Sequence, residues 1–209
     1  MIKRLLAVCL ACFLNAPLFA AEAPDALVRR VSDEVLEIVR QDKDIRNGDL
    51  HKVNALVDAK VLPHFNFQRM TALALGRDWR SASPAQKNRL AEEFKNLLVR
   101  TYANALTGYS NQRIVFKPFK MKSGETEVLV RSEVTQPGAQ PVQIDYWLEQ
   151  AGDNWKVYDV VVAGISLVTN YREQFASEVR NGGIDGLIAS LAAKNKSLEV
   201  AAAAKTGKK

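Results

Sequence analysis

The stretch Trp155-Lys156-Val157-Tyr158-Asp159-Val160-Val161-Val162-Ala163-Gly164-Ile165-Ser166-Leu167-Val168 decides how this chain is read. Its β-branched and aromatic residues predict a strand over Trp155 to Ala163. Gly164 then punctuates the run, and Ile165 onward predicts the apolar start of a helix reaching Arg180. The segment offers apolar surface and almost no reactive chemistry, which points to a protein that holds something apolar.

Upstream of it lie three more strand-like runs: Ile114 to Phe116, Val128 to Val134 and Ile144 to Leu148. Turn signals separate them at Lys122-Ser123-Gly124, Pro137-Gly138 and Gly152-Asp153-Asn154. Such short connections imply antiparallel neighbours. Alternation puts Val128, Val130 and Val134 on one face and Arg131 and Glu133 on the other. Ile144, Tyr146 and Leu148 likewise oppose Asp145, Trp147 and Glu149, so Asp145 is expected to point outward.

Helical periods come before this sheet. Leu27, Val28, Val31, Val35, Ile38 and Val39 form one stripe after Pro24-Asp25. Leu50 to Val61 form another, ended by Pro63. Phe65 to Leu75 closes at Gly76, a residue suited to end a helix. Ser83-Pro84-Ala85-Gln86 has serine at the N-cap, proline at the first helical position and glutamine at the third, a capping box. Leu90, Phe94, Leu97, Leu98, Tyr102, Leu106 and Tyr109 follow at helical spacing. A last helix is expected from Ile184 to about Ala193. The order is helices, a meander, then helices. It predicts an α+β fold in which helices pack on a twisted antiparallel sheet of about four strands.

The 209-residue chain opens with Lys3 and Arg4, an apolar Leu5 to Leu14 and small residues at Ala20, Ala21 and Ala23. Residues 1–23 thus read as a cleaved secretory signal, and export is expected. Cys9 and Cys12 both fall within it, so the mature chain has no cysteine to pair. Cys9-Leu-Ala-Cys12 does not read as a lipoprotein cleavage site, because cysteine stands where leucine is expected. Residues 24–195 form one domain, and 196–209 are expected to be a basic, disordered tail. A net charge of +6 is mild; it suits acidic partners or anionic headgroups, and an exported chain has little call for nucleic acid. Stable membrane insertion is not expected, since no later apolar run reaches about 18 residues.

Catalytic patterns are weak. Gly164-Ile165-Ser166 lacks the second glycine of a nucleophile elbow, and His51 and His64 both precede the serine. Two scattered histidines give no metal cluster. Asn181-Gly182-Gly183-Ile184-Asp185-Gly186 lacks the ligand spacing of a calcium loop and the lysine of a phosphate loop, and reads as a turn. No catalytic residue, metal or cofactor is expected. From the residues alone, a ligand cavity, a small-molecule enzyme and a closed-core interaction module stay open.

Several ordered segments resemble the MlaC-type phospholipid shuttles of the Mla lipid-asymmetry pathway, also called toluene-tolerance proteins. They are Leu62-Pro63, Ala72 to Gly76, Ser81 to Gln86, Trp155, Tyr158-Asp159, Gly164-Ile165-Ser166 and Gly183 to Leu187. The resemblance implies a periplasmic carrier that takes a phospholipid's acyl chains into a cavity between sheet and helices. It also implies exchange between an outer-membrane lipoprotein complex and an inner-membrane ABC transporter complex, without catalysis. On that reading Val128, Val130, Tyr146, Leu148, Tyr158, Val160 and Val162 are the expected sheet wall. Leu73, Leu75, Trp79, Leu98, Tyr102, Ile165 and Leu167 are the expected helical wall.

Overall fold

The structure is a computed structural model and describes residues 22–107 and 112–206. The expected signal segment up to Ala21 and Tyr109 of the helical stripe lie outside the described residues. Three helices lead: α1 (Pro24–Gln41), α2 (Lys43–Arg46) and α3 (Leu50–Lys60). Asp42 and Asp49 cap α2 and α3 by accepting backbone N–H bonds from the first turn. A 3-10 turn at Leu62–His64 leads to α4 (Phe67–Leu75), capped by Asn66 and ended at Gly76 with φ 59°. The long α5 (Pro84–Tyr102) begins with the expected capping box. The Ser83 hydroxyl accepts from Gln86 N, and the Gln86 side chain accepts from Ser83 N.

The sheet is an antiparallel meander of five strands in sequence order. These are β1 (Arg113–Phe116), β2 (Glu127–Thr135), β3 (Val142–Ala151), β4 (Asn154–Val162) and β5 (Ile165–Ser166). The fifth strand corrects the sequence reading, which started a helix at Ile165. Ala163 and Gly164 both have positive φ, 49° and 83°, and form a two-residue hairpin that pairs Ile165 with Val162 and Ser166 with Val161. The chain turns back along the sheet at this hairpin, and the sequence reading differs because a short apolar run does not distinguish strand from helix. The Ser166 hydroxyl donates to Asp159 Oδ2 (2.6 Å) and accepts from the backbone N–H groups of Val168 and Thr169. Its role there is to brace the turn.

The final helix, α6 (Arg172–Thr206), is bent at Gly183, whose φ 68° and ψ −171° are not helical. It starts at Arg172, later than expected because β5 and a 3-10 turn at Thr169–Tyr171 come first, and it runs through residues 196–206, where a disordered tail was expected. Two contacts with α5 hold this half in place. The Asn195 amide donates to the Glu93 carbonyl (2.9 Å) and carboxylate (2.7 Å), and Arg100 pairs with Glu199 at 3.2 Å. Alanine-rich sequence costs little to keep helical once one face is packed.

Three apolar clusters hold the layers together. Phe94, Leu90, Met70, Phe175 and Leu187 centre the packing of α4, α5 and α6. Val39, Ile45, Val53 and Leu56 join α1, α2 and α3. Leu27 and Val28 of α1 lie on Val128, Val130, Leu148, Val157 and Val160 of the sheet. The opposite sheet face carries Arg131 and Trp147, both exposed. Asp145 shares that face by register with Arg131, yet it is buried rather than outward. Gln143 donates to its Oδ2 (2.8 Å), and among the described residues no partner reaches Oδ1.

Candidate functional site

A bulge in β4 sets the site. Pairing runs Tyr146 with Val160 and Trp147 with Asp159, then shifts so that Leu148 faces Val157. Tyr158 is the extra residue. Simple alternation puts Tyr158 beside Val160 and Val162; the bulge turns it away and puts Val157 on the inner face instead. The Tyr158 hydroxyl donates to Glu127 (3.0 Å), its ring lies 3.7 Å under Arg69, and it sits near Trp147. Arg69 also pairs with Glu127 and Glu149, which stand opposite each other on β2 and β3. Without that cation two like charges would face one another. Burial and the Glu127 contact push the Tyr158 phenol up to about 12. This ionic knot, with Asn66 donating to Glu149 (2.6 Å), fastens the start of α4 to the sheet.

Next to the knot, Phe65 bridges in parallel to Val157, and Asn66 N donates to Val157 O (2.8 Å). The Phe65 ring thereby becomes a wall between two apolar chambers. The first, of about 460 Å³, lies between α1 and the inner sheet face. Leu27, Val28, Val31 and Val35 of α1 line it, facing Ile114, Val134, Ile144, Tyr146 and Val157. The second, of about 230 Å³, lies against α5, lined by Leu98, Val99, Tyr102, Met70, Val160 and Leu167. Val35, Val61, Phe65 and Leu106 line both, so the two are lobes of one hollow. The larger lobe falls in the size range of ligand pockets.

Polar groups in the hollow are few. Burial holds the Tyr146 phenol above its usual range, with the hydroxyls of Ser132 and Ser32 near it. His64 lines the first lobe, and burial followed by the charges of Arg30 and Lys156 lowers its pKa, favouring the neutral ring. Gln112 and Gln136 line the same lobe, the amide of Gln112 donating to Gln136 (3.0 Å). Among the described residues no group of three or more His, Cys, Asp or Glu side chains could hold a metal ion, and no helix is long and apolar enough to cross a membrane.

The residues expected from sequence divide clearly. Leu98, Tyr102, Tyr146, Val160 and Leu167 lie on the chamber walls. Val128, Val130 and Leu148 are on the right face but are covered by α1, and Val162 packs against them. Leu75 is in the α4–α6 core, with Leu73 and Trp79 against it. Tyr158 belongs to the ionic knot. Ile165, on the short edge strand β5, is 60% exposed and lines neither chamber. Sequence reasoning missed Phe65, Val61, Val157 and the α1 wall. The α1 stripe was visible as a helix face; nothing in its spacing says that it borders a space rather than packed side chains.

Helices packed on an antiparallel meander, with apolar chambers between the layers, place the chain among α+β proteins built around an internal cavity. The family model described as "MlaC protein" matches residues 29–193, and the chain belongs to that family. It is 27% identical over 176 residues to the intermembrane phospholipid transport system binding protein MlaC of Haemophilus influenzae, covering 82% of each chain. It is 32% identical over 190 residues to the toluene tolerance protein ttg2D of Pseudomonas putida, covering 88% of this chain and 85% of that one. A solved structure of a phospholipid-binding protein from Ralstonia solanacearum, in complex with a phospholipid, superposes with a TM-score of 0.78 at 41% identity. That match covers 84% of this chain and 98% of the other.

Proposed function

We propose that this protein is a periplasmic phospholipid carrier, exported by its N-terminal signal, that exchanges lipid between an outer-membrane lipoprotein complex and an inner-membrane ABC transporter complex. The observation that carries this reading is the two-lobed apolar hollow, in a chain 41% identical to a protein solved with a phospholipid. Each buried methylene contributes about 0.8 kcal/mol, so a 16-carbon tail represents roughly 12 kcal/mol that water opposes. A carrier must come close to that value with apolar lining. Going far beyond it would prevent release into a bilayer. Walls of Val, Leu and Phe with few hydrogen-bonding groups meet both demands, because dispersion and hydrophobic contact hold a tail without fixing its register.

Tyr102, Leu98, Tyr146, Val160 and Leu167 are the proposed tail contacts from the sequence reading, joined by Phe65, Val61 and the α1 stripe. Two lobes sharing one partition suit a two-tailed lipid. The test is mass spectrometry of an organic extract of the purified protein. Stoichiometric diacyl phospholipid is expected; a lipid-free extract from freshly prepared protein would sink the proposal.

A further inference from the structure

The edge of the sheet at β1, with the loop after it, is rich in cations. Residues 113–122 read Arg-Ile-Val-Phe-Lys-Pro-Phe-Lys-Met-Lys, with four cations and no acid. β1 is an outer strand of the sheet, and Val115 on it is exposed. The loop is firmly rooted. Phe119 packs against the cluster beneath α1, the Arg29 guanidinium lies 4.5 Å over the Phe116 ring, and Lys117 N donates to Arg131 O (2.9 Å). Its far end is closed by a turn in which Lys122 N donates to Glu125 Oε2 (2.9 Å), with Gly124 at φ 83°.

Between root and turn the chain presents Lys120, Met121 and Lys122. Met121 is 47% exposed, and both lysines are exposed. Among the described residues neither lysine has an ion-pair partner, whereas Lys117 pairs with Glu133 at 2.7 Å. A thioether held in water between two cations on a rooted loop has the chemistry of an interfacial anchor, with an apolar side chain to enter the headgroup layer and charges to meet phosphates. The tip is too small to supply the roughly 800 Å² per partner of a stable protein interface. A bilayer asks for no such area, because contacts to many headgroups add up.

We propose that the Lys120-Met121-Lys122 tip docks this protein on an anionic lipid surface. The same strand contributes Ile114 to the first chamber, so docking here brings that side of the hollow to the bilayer. Docking is separate from carriage, and the two are measured separately.

The experiment is flotation of the full mature chain with vesicles of phosphatidylcholine alone and of phosphatidylcholine mixed with phosphatidylglycerol. Comparison is with the double variant Lys120→Glu, Lys122→Glu and with Met121→Ser. The wild type should float with the anionic vesicles only. Each cation contributes about fivefold in partition, so the double variant should lose at least about 25-fold. Met121→Ser should weaken binding to the same vesicles at unchanged charge. Bound lipid, measured by mass spectrometry, should be equal in all three proteins. Equal flotation with neutral vesicles, no flotation of the wild type, or an unaffected double variant would each overturn the proposal; the last two would return the tip to an acidic protein partner. A double variant that also loses its cargo would show that the tip retains lipid rather than docks, and would overturn it as well. A wild type that floats but carries no lipid would leave docking intact and remove the carrier reading.

Discussion

Val160 shows how a single side chain bears on the hollow. It pairs with Tyr146 across the sheet and lines the smaller lobe beside Leu98 and Leu167. A carboxylate placed there would be desolvated by any hydrocarbon tail and hydrated only if the lobe filled with water. Val160→Asp and, independently, Leu98→Glu should therefore lower bound phospholipid at least about tenfold while the far-ultraviolet circular dichroism stays unchanged. Unchanged lipid in the mass spectrum of both variants would count against these walls as tail contacts. The residue scale is also where sequence reading failed most. Tyr158 looked like an inner-face residue by alternation, and a one-residue bulge reversed it. No composition signal marks a bulge; it shows only in the pairing register. Val128, Val130 and Leu148 failed differently. Their face was correct, but whether α1 covers them depends on where a helix sits, which periodicity does not encode.

The elements were more legible where their ends carry chemistry. The Ser83 to Gln86 box and Gly76 located two helix boundaries, because caps satisfy backbone groups that the helix itself leaves open. The Ile165 segment and the tail were misread because neither has such a local signal. The tail offers a direct test. Leu198 packs partly against the α4–α6 cluster, and Glu199 reaches Arg100. Removing residues 197–209 should cost about 1–2 kcal/mol, the order of one partly buried leucine plus an exposed ion pair. Urea unfolding of the truncated and full chains measures this, and an unchanged midpoint would mean that this stretch adds nothing to the fold. Gly183, bent at φ 68°, lets the helix change direction between its contacts with α5 at Phe175 and at Asn195; a β-carbon there would sit in a backbone region that side chains rarely adopt.

At the scale of the whole molecule, pH acts through His64. Its folded pKa lies below the ordinary histidine value because burial and the nearby charges of Arg30 and Lys156 outweigh Glu22 and Glu34. The unfolded chain therefore binds more protons than the folded one as pH falls through about 6.5, and stability must drop with it. Salt-bridged carboxylates such as Glu22, Glu34 and Glu127 are held low, so their loss comes in more acidic solution. As pH falls below about 6.5, His64→Gln should flatten the decline of melting temperature that the wild type shows. Parallel profiles for the two proteins would rule out this histidine as the source.

Phe65, anchored to the bulged strand through Val157, is one of four residues that border both chambers. Compartments parted only by side chains can trade volume when those side chains change rotamer. A cargo molecule with one short and one long tail should then fit as well as a symmetric one of equal total carbon number. Competition between such isomers would rank them by summed length, with neither tail individually measured.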